Sequence, residues 1–422
     1  MASLSQLIRK NHHRPIRRCY IKRRDLSGNY ESSWTQVDIW KNRDRVINWG
    51  KISIEINHQP NKISTFNVSN LTMVFDNSEG HFNSETFPNS IWYGYLNRKF
   101  TKLKIDCGYL DEDGTEVGVA NIFEGIIDRV FIGEDQRARV VVLSYQTILN
   151  KYDILDLSLA ATERYVEDLH GDIMNQSKIT KFIPYVAATP GISNVTIADP
   201  SALTGSYWDV LLYLAQVSNS IPLLVGSAWS FTSREASVSS QWDFKGFGAD
   251  DQPDIFKIYT YDDEGADKVR LRFQEKDGTT VAISSDTTLR LKYLADADGS
   301  EVEYVDLTDV KSTDKQSVLN SLVDYWEHPR PTIEFGTRML INILKPTDKI
   351  TIEIIQKTSP STGVYVIGVS KLGTIANGGD SHVLVKKIGA INISSGEEWM
   401  VVKIVKDIHT WSSRIKAEKI PT

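Results

Sequence analysis

Between Val37 and Tyr145 the chain is written in runs the length of a β-strand, and this most narrows what it can become. KISIEIN (51–57), LTMVFDN (71–77), KLKIDCGYL (102–110), NIFEGIIDRVFI (121–132) and ARVVVLSYQTIL (138–149) follow one another with turn chemistry between them. In 70–75, Asn70, Thr72 and Val74 alternate with Leu71, Met73 and Phe75, the period of two that buries one face of a strand. DEDG at 111–114 and IGEDQ at 132–136 carry the Asp/Gly chemistry of tight hairpin connections. An antiparallel barrel or sandwich is the expected result.

The pattern then changes period. Tyr165, Val166, Leu169, Ile173 and Met174 share one helical face, and SALTGSYWDVLLYLAQVSNSIPLLV (201–225) predicts a helix capped by Ser206, followed by a strand from 221 to 225. Residues 226–300 mix short β-like pieces with Ser, Asp and Gly. A further helix is predicted from Lys315 to Trp326, stopped by Pro329 and Pro331. Strand runs return from Ile333 onward: TIEFGT, MLINIL, KITIEII, GVYVIGVSKLG, HVLVKKIGAINI, EWMVVKIVKDI and SRIKAEKI. The division this predicts is a basic N-terminal arm (1–27), a first β domain (28–150), an α+β insertion (151–310), and a helix with a second β domain (311–422).

With 422 residues, 41% hydrophobic and 24% charged, the whole chain has the composition of a folded protein. The net charge of −6 argues against a general nucleic-acid binder, which needs a basic face. Charge is nevertheless segregated: Arg9, Lys10, Arg14, Arg17, Arg18, Lys22, Arg23 and Arg24 all precede the first acid, Asp25. These eight are expected to form an arm that acts in assembly, on an acidic neighbouring subunit or on nucleic acid, and that the fold does not need. Cys19 and Cys107 fit neither a disulfide framework nor a zinc motif and are expected to be free thiols. The chain has neither an apolar run of membrane-spanning length nor the apolar core of a signal peptide, so no membrane partner is expected.

Catalytic signatures are missing. The carboxylate groups Asp111/Glu112/Asp113, Asp250/Asp251, Asp262/Asp263/Glu264 and Glu301/Glu303 adjoin turn residues and read as solvated loops. The histidines lack metal-ligand spacing, and neither a GxSxG nucleophile elbow nor a GxxxxGK phosphate loop occurs. No enzyme activity, cofactor or metal is expected. Trp34, Trp40, Trp49, Trp92, Tyr93 and Tyr95 cluster near turns, where aromatics anchor subunit interfaces or stack on sugars.

One block is more specific. A strand ends in the turn Asp76-Asn77-Ser78-Glu79-Gly80 with Phe82 after it; Tyr93-Gly94-Tyr95-Leu96 and Arg98 follow, then Gly108-Tyr109, then Phe123, Gly125, Ile127 and Asp128. This order resembles the first domain of the tail hub proteins of tailed bacteriophages and related contractile injection systems. The resemblance extends at the level of pattern through residues 30–422.

It implies a mainly β fold in which two tail-tube-like antiparallel β-barrel domains flank a helix-containing insertion. It further implies a homotrimeric, non-enzymatic hub at the tail tip of a virion. Such a hub joins a hexameric tail tube or distal tail protein to a central fibre or spike. A tape-measure protein is a further partner, and DNA passes through the channel without specific binding. Asp76, Asn77, Glu79, Gly80, Phe82, Tyr93, Tyr95 and Arg98 become interface candidates, with the polar turn docking on a neighbouring ring and Phe82 pinning it. Any enzyme or fibre would then be a separate polypeptide. A cell-wall-degrading hydrolase and a host-glycan-binding β protein remain the alternatives.

Overall fold

A computed structural model of the chain describes residues 14–25, 27–59, 62–82, 101–176, 179, 183–225, 228–235, 237, 239–246, 254–262, 271–275, 281–283, 301–326, 330–354, 393 and 395–421. The fold is mainly β, with several antiparallel sheets and a helix-containing insertion.

The first large sheet has seven strands. In spatial order they are Thr35–Gln36, Arg14–Lys22, Lys102–Leu110, Glu116–Ile132, Arg137–Ser144, Leu71–Asp76 and Val46–Asn48, each antiparallel to its neighbour. The period of two does what it promises: Leu71, Met73 and Phe75 point inward beside Ala138, Val140 and Val142, all fully buried. Residues 111–114 and 133–136 form the hairpin turns.

The second large sheet runs Ser240–Lys245, Lys349–Glu353, Glu398–Asp407, Ser412–Lys419, Thr332–Thr337 and Ile255–Asp262, with one parallel pair at its start. The hairpin Lys51–Gln59/Lys62–Val68 belongs here, because Lys51–Glu55 pairs with Lys403–Asp407. The chain reaches that sheet through Gly50 at φ 73°, where a Cβ would collide with the carbonyl oxygen of Thr72. Both sheets contribute to one continuous apolar core, from Ile21 and Tyr109 to Phe335, Trp399 and Ile415.

A second core belongs to the insertion. Helices Val166–Met174 and Tyr207–Val217, hairpin Ser220–Val225/Ala228–Ser233 and helix Ser312–Trp326 bury Leu169, Leu211, Phe231 and Leu319 together. Ser206 caps the second helix with a full capping box to Asp209. Tyr165, placed on a helical face by its spacing, instead precedes the first helix in extended conformation and stands exposed.

Two sequence expectations need correction. Residues 14–22 are not part of an arm: they form a nine-residue strand paired along its whole length with Lys102–Leu110, burying Cys19 and Ile21 completely. Basic side chains on the strand mask its alternation, because long cationic stems lie along a sheet surface while their heads find acids or aromatic rings. MLINIL (339–344) is not a strand but part of a loop whose Leu340, Ile341 and Leu344 are buried. Its apolar rhythm reports burial, which a loop wedged between two sheets needs as much as a strand does.

Candidate functional site

The turn after strand Leu71–Asp76 is built from its own sequence. Asp76 Oδ1 accepts the backbone N–H of Ser78 (2.9 Å), and Gly80 takes the left-handed φ of 73° that closes the loop. Asn77 Oδ1 accepts the N–H of Phe82 (2.8 Å), whose ring is buried beside Phe75 at 5.2 Å between centroids. Arg45, itself 6% exposed, clamps the turn: its guanidinium reaches Asp76 Oδ2 and Glu79 Oε1, each at 2.9 Å. Glu79 Oε2 lies 2.8 Å from His81 Nε2, and the His81 ring meets Trp40 edge-on.

Arg45 and His81 together hold the Glu79 carboxyl down to about 2. Backbone N–H donation from Ser78, with Arg45 behind it, keeps Asp76 below the usual carboxylate range. Both acids are therefore charged yet committed within the molecule. Ser78 and Glu79 are what the turn offers to solvent. Tyr93, Tyr95 and Arg98 lie outside the described residues.

The basic residues of 14–24 are likewise engaged. Arg18 pairs with Glu116, Arg23 with Glu31 (3.4 Å), and Arg24 Nε donates to the Gly28 carbonyl (2.8 Å). Arg17 lies 4.9 Å over the Trp411 ring and Lys22 5.9 Å over Trp34. Arg14 begins the strand, exposed; Arg9 and Lys10 lie outside the described residues.

Sequence reasoning missed the joint between the two sheets. Tyr109 donates its hydroxyl to the Leu340 carbonyl (2.7 Å), and Asn342 Nδ2 donates to the Cys107 carbonyl (2.7 Å). Lys406 Nζ donates to the Asn342 carbonyl (2.6 Å), and Tyr109 packs edge-on against Trp411. These contacts bridge more than 200 positions in sequence between Tyr109 and Leu340, so no local signal announces them. The only cue was a lysine in an apolar run, VVKIVKDI.

Beside the joint lies a cavity of about 740 Å³, walled by the first sheet at Asn121–Glu124, by the loop 342–348 with Lys406, and by the insertion hairpin at Trp229 and Thr232. Burial pushes Lys406 down to about 8 and the Asp348 carboxyl up to about 6. Among the described residues no histidine or cysteine lines this cavity and no cluster of ligating side chains able to hold a metal ion is present. Cys19 and Cys107 are free, buried thiols.

Lys406 makes a pH prediction. Its folded value lies below its ordinary 10.5, so the unfolded chain binds more protons between about pH 8 and 10.5, and stability rises with pH through that window. The penalty, on the order of 3 kcal/mol, is full below pH 8. Denaturant unfolding at pH 7 and pH 10 should show wild type gaining roughly 2–3 kcal/mol relative to Lys406→Met. An unchanged difference between the two proteins would mean that the Lys406 ammonium stays solvated.

This architecture, two large sheets fused through one core with an insertion packed across them, recurs in a solved structure. The solved structure of the tail protein from Neisseria meningitidis MC58 has it: the two superpose over 95% of this chain and 96% of that one at 10% identity, with a TM-score of 0.53. Prophage tail protein gp18 from Listeria monocytogenes EGD-e aligns over 94% of both chains at 8% identity and a TM-score of 0.49. The 43 kDa tail protein of prophage MuSo2 from Shewanella oneidensis aligns over 95% of this chain and 98% of its own at 10% identity and a TM-score of 0.48. No protein-family model and no curated protein sequence matches the chain.

Proposed function

We propose that the chain is a structural, non-enzymatic component of a phage-type tail, acting as the hub of a tail tip or baseplate in the virion. The observation that carries this is the end-to-end fold shared with a tail protein, spanning both sheets and the insertion alike. In this reading three copies assemble, each contributing two sheet units, so that six units form a ring under a hexameric tail tube. The ring passes threefold symmetry to a fibre or spike and surrounds a channel for DNA.

The insertion is kept as a unit with its own core, but Ser240–Lys245 and Ile255–Asp262, inside the limits 151–310, belong to the second sheet, while helix Ser312–Trp326, beyond them, packs on the insertion. The exposed rim of the turn, Ser78 and Glu79, docks on a neighbouring tail protein while Arg45 and Phe82 hold its shape. Rigid presentation favours that role, since little conformational entropy is then lost on docking.

Native mass spectrometry tests the proposal: the expected species is three times the 47.6 kDa chain, with a central hole in negative-stain images. A monomer that persists at high concentration and in the presence of tail-tube protein overturns it.

A further inference from the structure

The cavity at the joint carries chemistry that a purely architectural role leaves unused. At about 740 Å³ it falls within the range of small-molecule sites, ~300–1,000 Å³. Ile52, Ile54 and Leu223 give it apolar walls. Its polar side is unbalanced toward donors. The Lys406 ammonium has three N–H groups and lies in a side chain 4% exposed, yet among the described residues its one hydrogen bond goes to a neutral acceptor, the Asn342 carbonyl. No carboxylate lies within 4 Å of it among the described residues. Lys345 lines the same wall and, among the described residues, makes no ion pair within 4 Å, though it feels the Asp348 charge. Thr232 Oγ1, on the same lining, is buried and has no hydrogen-bond partner among the described residues.

The acids that face this space are accounted for. Glu124 accepts the Tyr145 hydroxyl and lies 3.6 Å from Lys102, so its charge is met from the first sheet. Asp348 accepts the backbone N–H of Lys345 (2.9 Å); burial pushes its carboxyl up to about 6, so at pH 7 it is charged and acts on Lys406 without closing to an ion pair. Glu235 is exposed. A buried ammonium with unspent donors is costly unless an anion meets it, and apolar walls around it select what the anion is attached to.

We propose that this cavity binds a carboxylate carried on a short apolar body, the carboxylate accepting from Lys406 Nζ and Thr232 Oγ1 and the body lying against Ile52, Ile54 and Leu223. That chemistry comes from two sources: a free amphiphile of fatty-acid type, or the C-terminal carboxylate of an apolar peptide. Charge-assisted hydrogen bonds are the strong ones, so the carboxylate supplies most of the selectivity.

Calorimetric titration of the full-length protein at pH 7 tests this, with decanoate and decanol as one pair of probes. An apolar tripeptide with a free C-terminus and the same peptide amidated form the second pair. Binding of decanoate but not decanol points to a free amphiphile; binding of the free-ended peptide but not its amide points to a chain terminus; either supports the site. Lys406→Met, expected to fold at least as stably at pH 7, should weaken the bound carboxylate by roughly tenfold or more. Thr232→Val should weaken it by a smaller factor and serves as the second variant. Failure of both carboxylates to bind, equal binding of the uncharged analogues, or unchanged binding by both variants overturns the proposal.

Discussion

Deleting residues 1–24 should abolish cooperative folding. The deletion removes strand Arg14–Lys22, which pairs at nine positions with Lys102–Leu110 and closes the core over Leu103, Ile105 and Cys107. Burial of Cys19, Ile21 and Ile16 is lost, at about 1.5–3 kcal/mol for each large apolar side chain, and a row of backbone N–H and C=O groups is left without partners. Together with the lost contacts of Arg17 on Trp411 and Arg18 on Glu116, the sum rivals the whole stability of an ordinary domain, ~5–15 kcal/mol. Near-ultraviolet circular dichroism and size-exclusion chromatography are the measurements. A truncated chain that is soluble, monodisperse and melts at the wild-type midpoint would remove this strand from the core.

Phe82→Ala should destabilise by about 3–5 kcal/mol, the cost of emptying a buried aromatic site. The side chain is 4% exposed, its ring packs tilted against Phe75, and it follows the turn that Arg45 clamps, so the void opens where the turn is anchored. Phe82→Leu keeps most of the volume and should cost far less, about 1 kcal/mol. Denaturant midpoints of the three proteins check both values. An alanine variant indistinguishable from wild type would mean that the turn holds its shape without the ring.

Much of the fold was legible because its signals are local. Leu71–Asp76, Lys102–Leu110 and Arg137–Ser144 alternate plainly, and the helix after Ser206 announces its cap and its apolar face within a dozen residues. The turn at 76–80 was also readable, since Asp, Asn and Gly act on neighbours two to five positions away. The donation from Arg45 to Asp76 and Glu79 was not, because that arginine lies 31 or more positions upstream and charge sequence alone does not say which acids an arginine meets.

What the amino-acid sequence determined by itself, then, is what a residue and its near neighbours decide: strand and helix periods, turns, caps, two thiols without a pairing framework, and a composition in the globular range. Tertiary structure alone decided the rest. It turned a run of arginines and lysines into a core strand, because Lys102–Leu110 supplies a ladder and Glu116, Glu31 and Trp411 receive the charges. It moved hairpin Lys51–Val68 to the second sheet through one tight glycine, and placed a buried lysine over a cavity at the joint. Each of these rests on a partner dozens to hundreds of residues away. Side-chain burial and ion pairing depend on distance in space, and only the folded chain sets those distances.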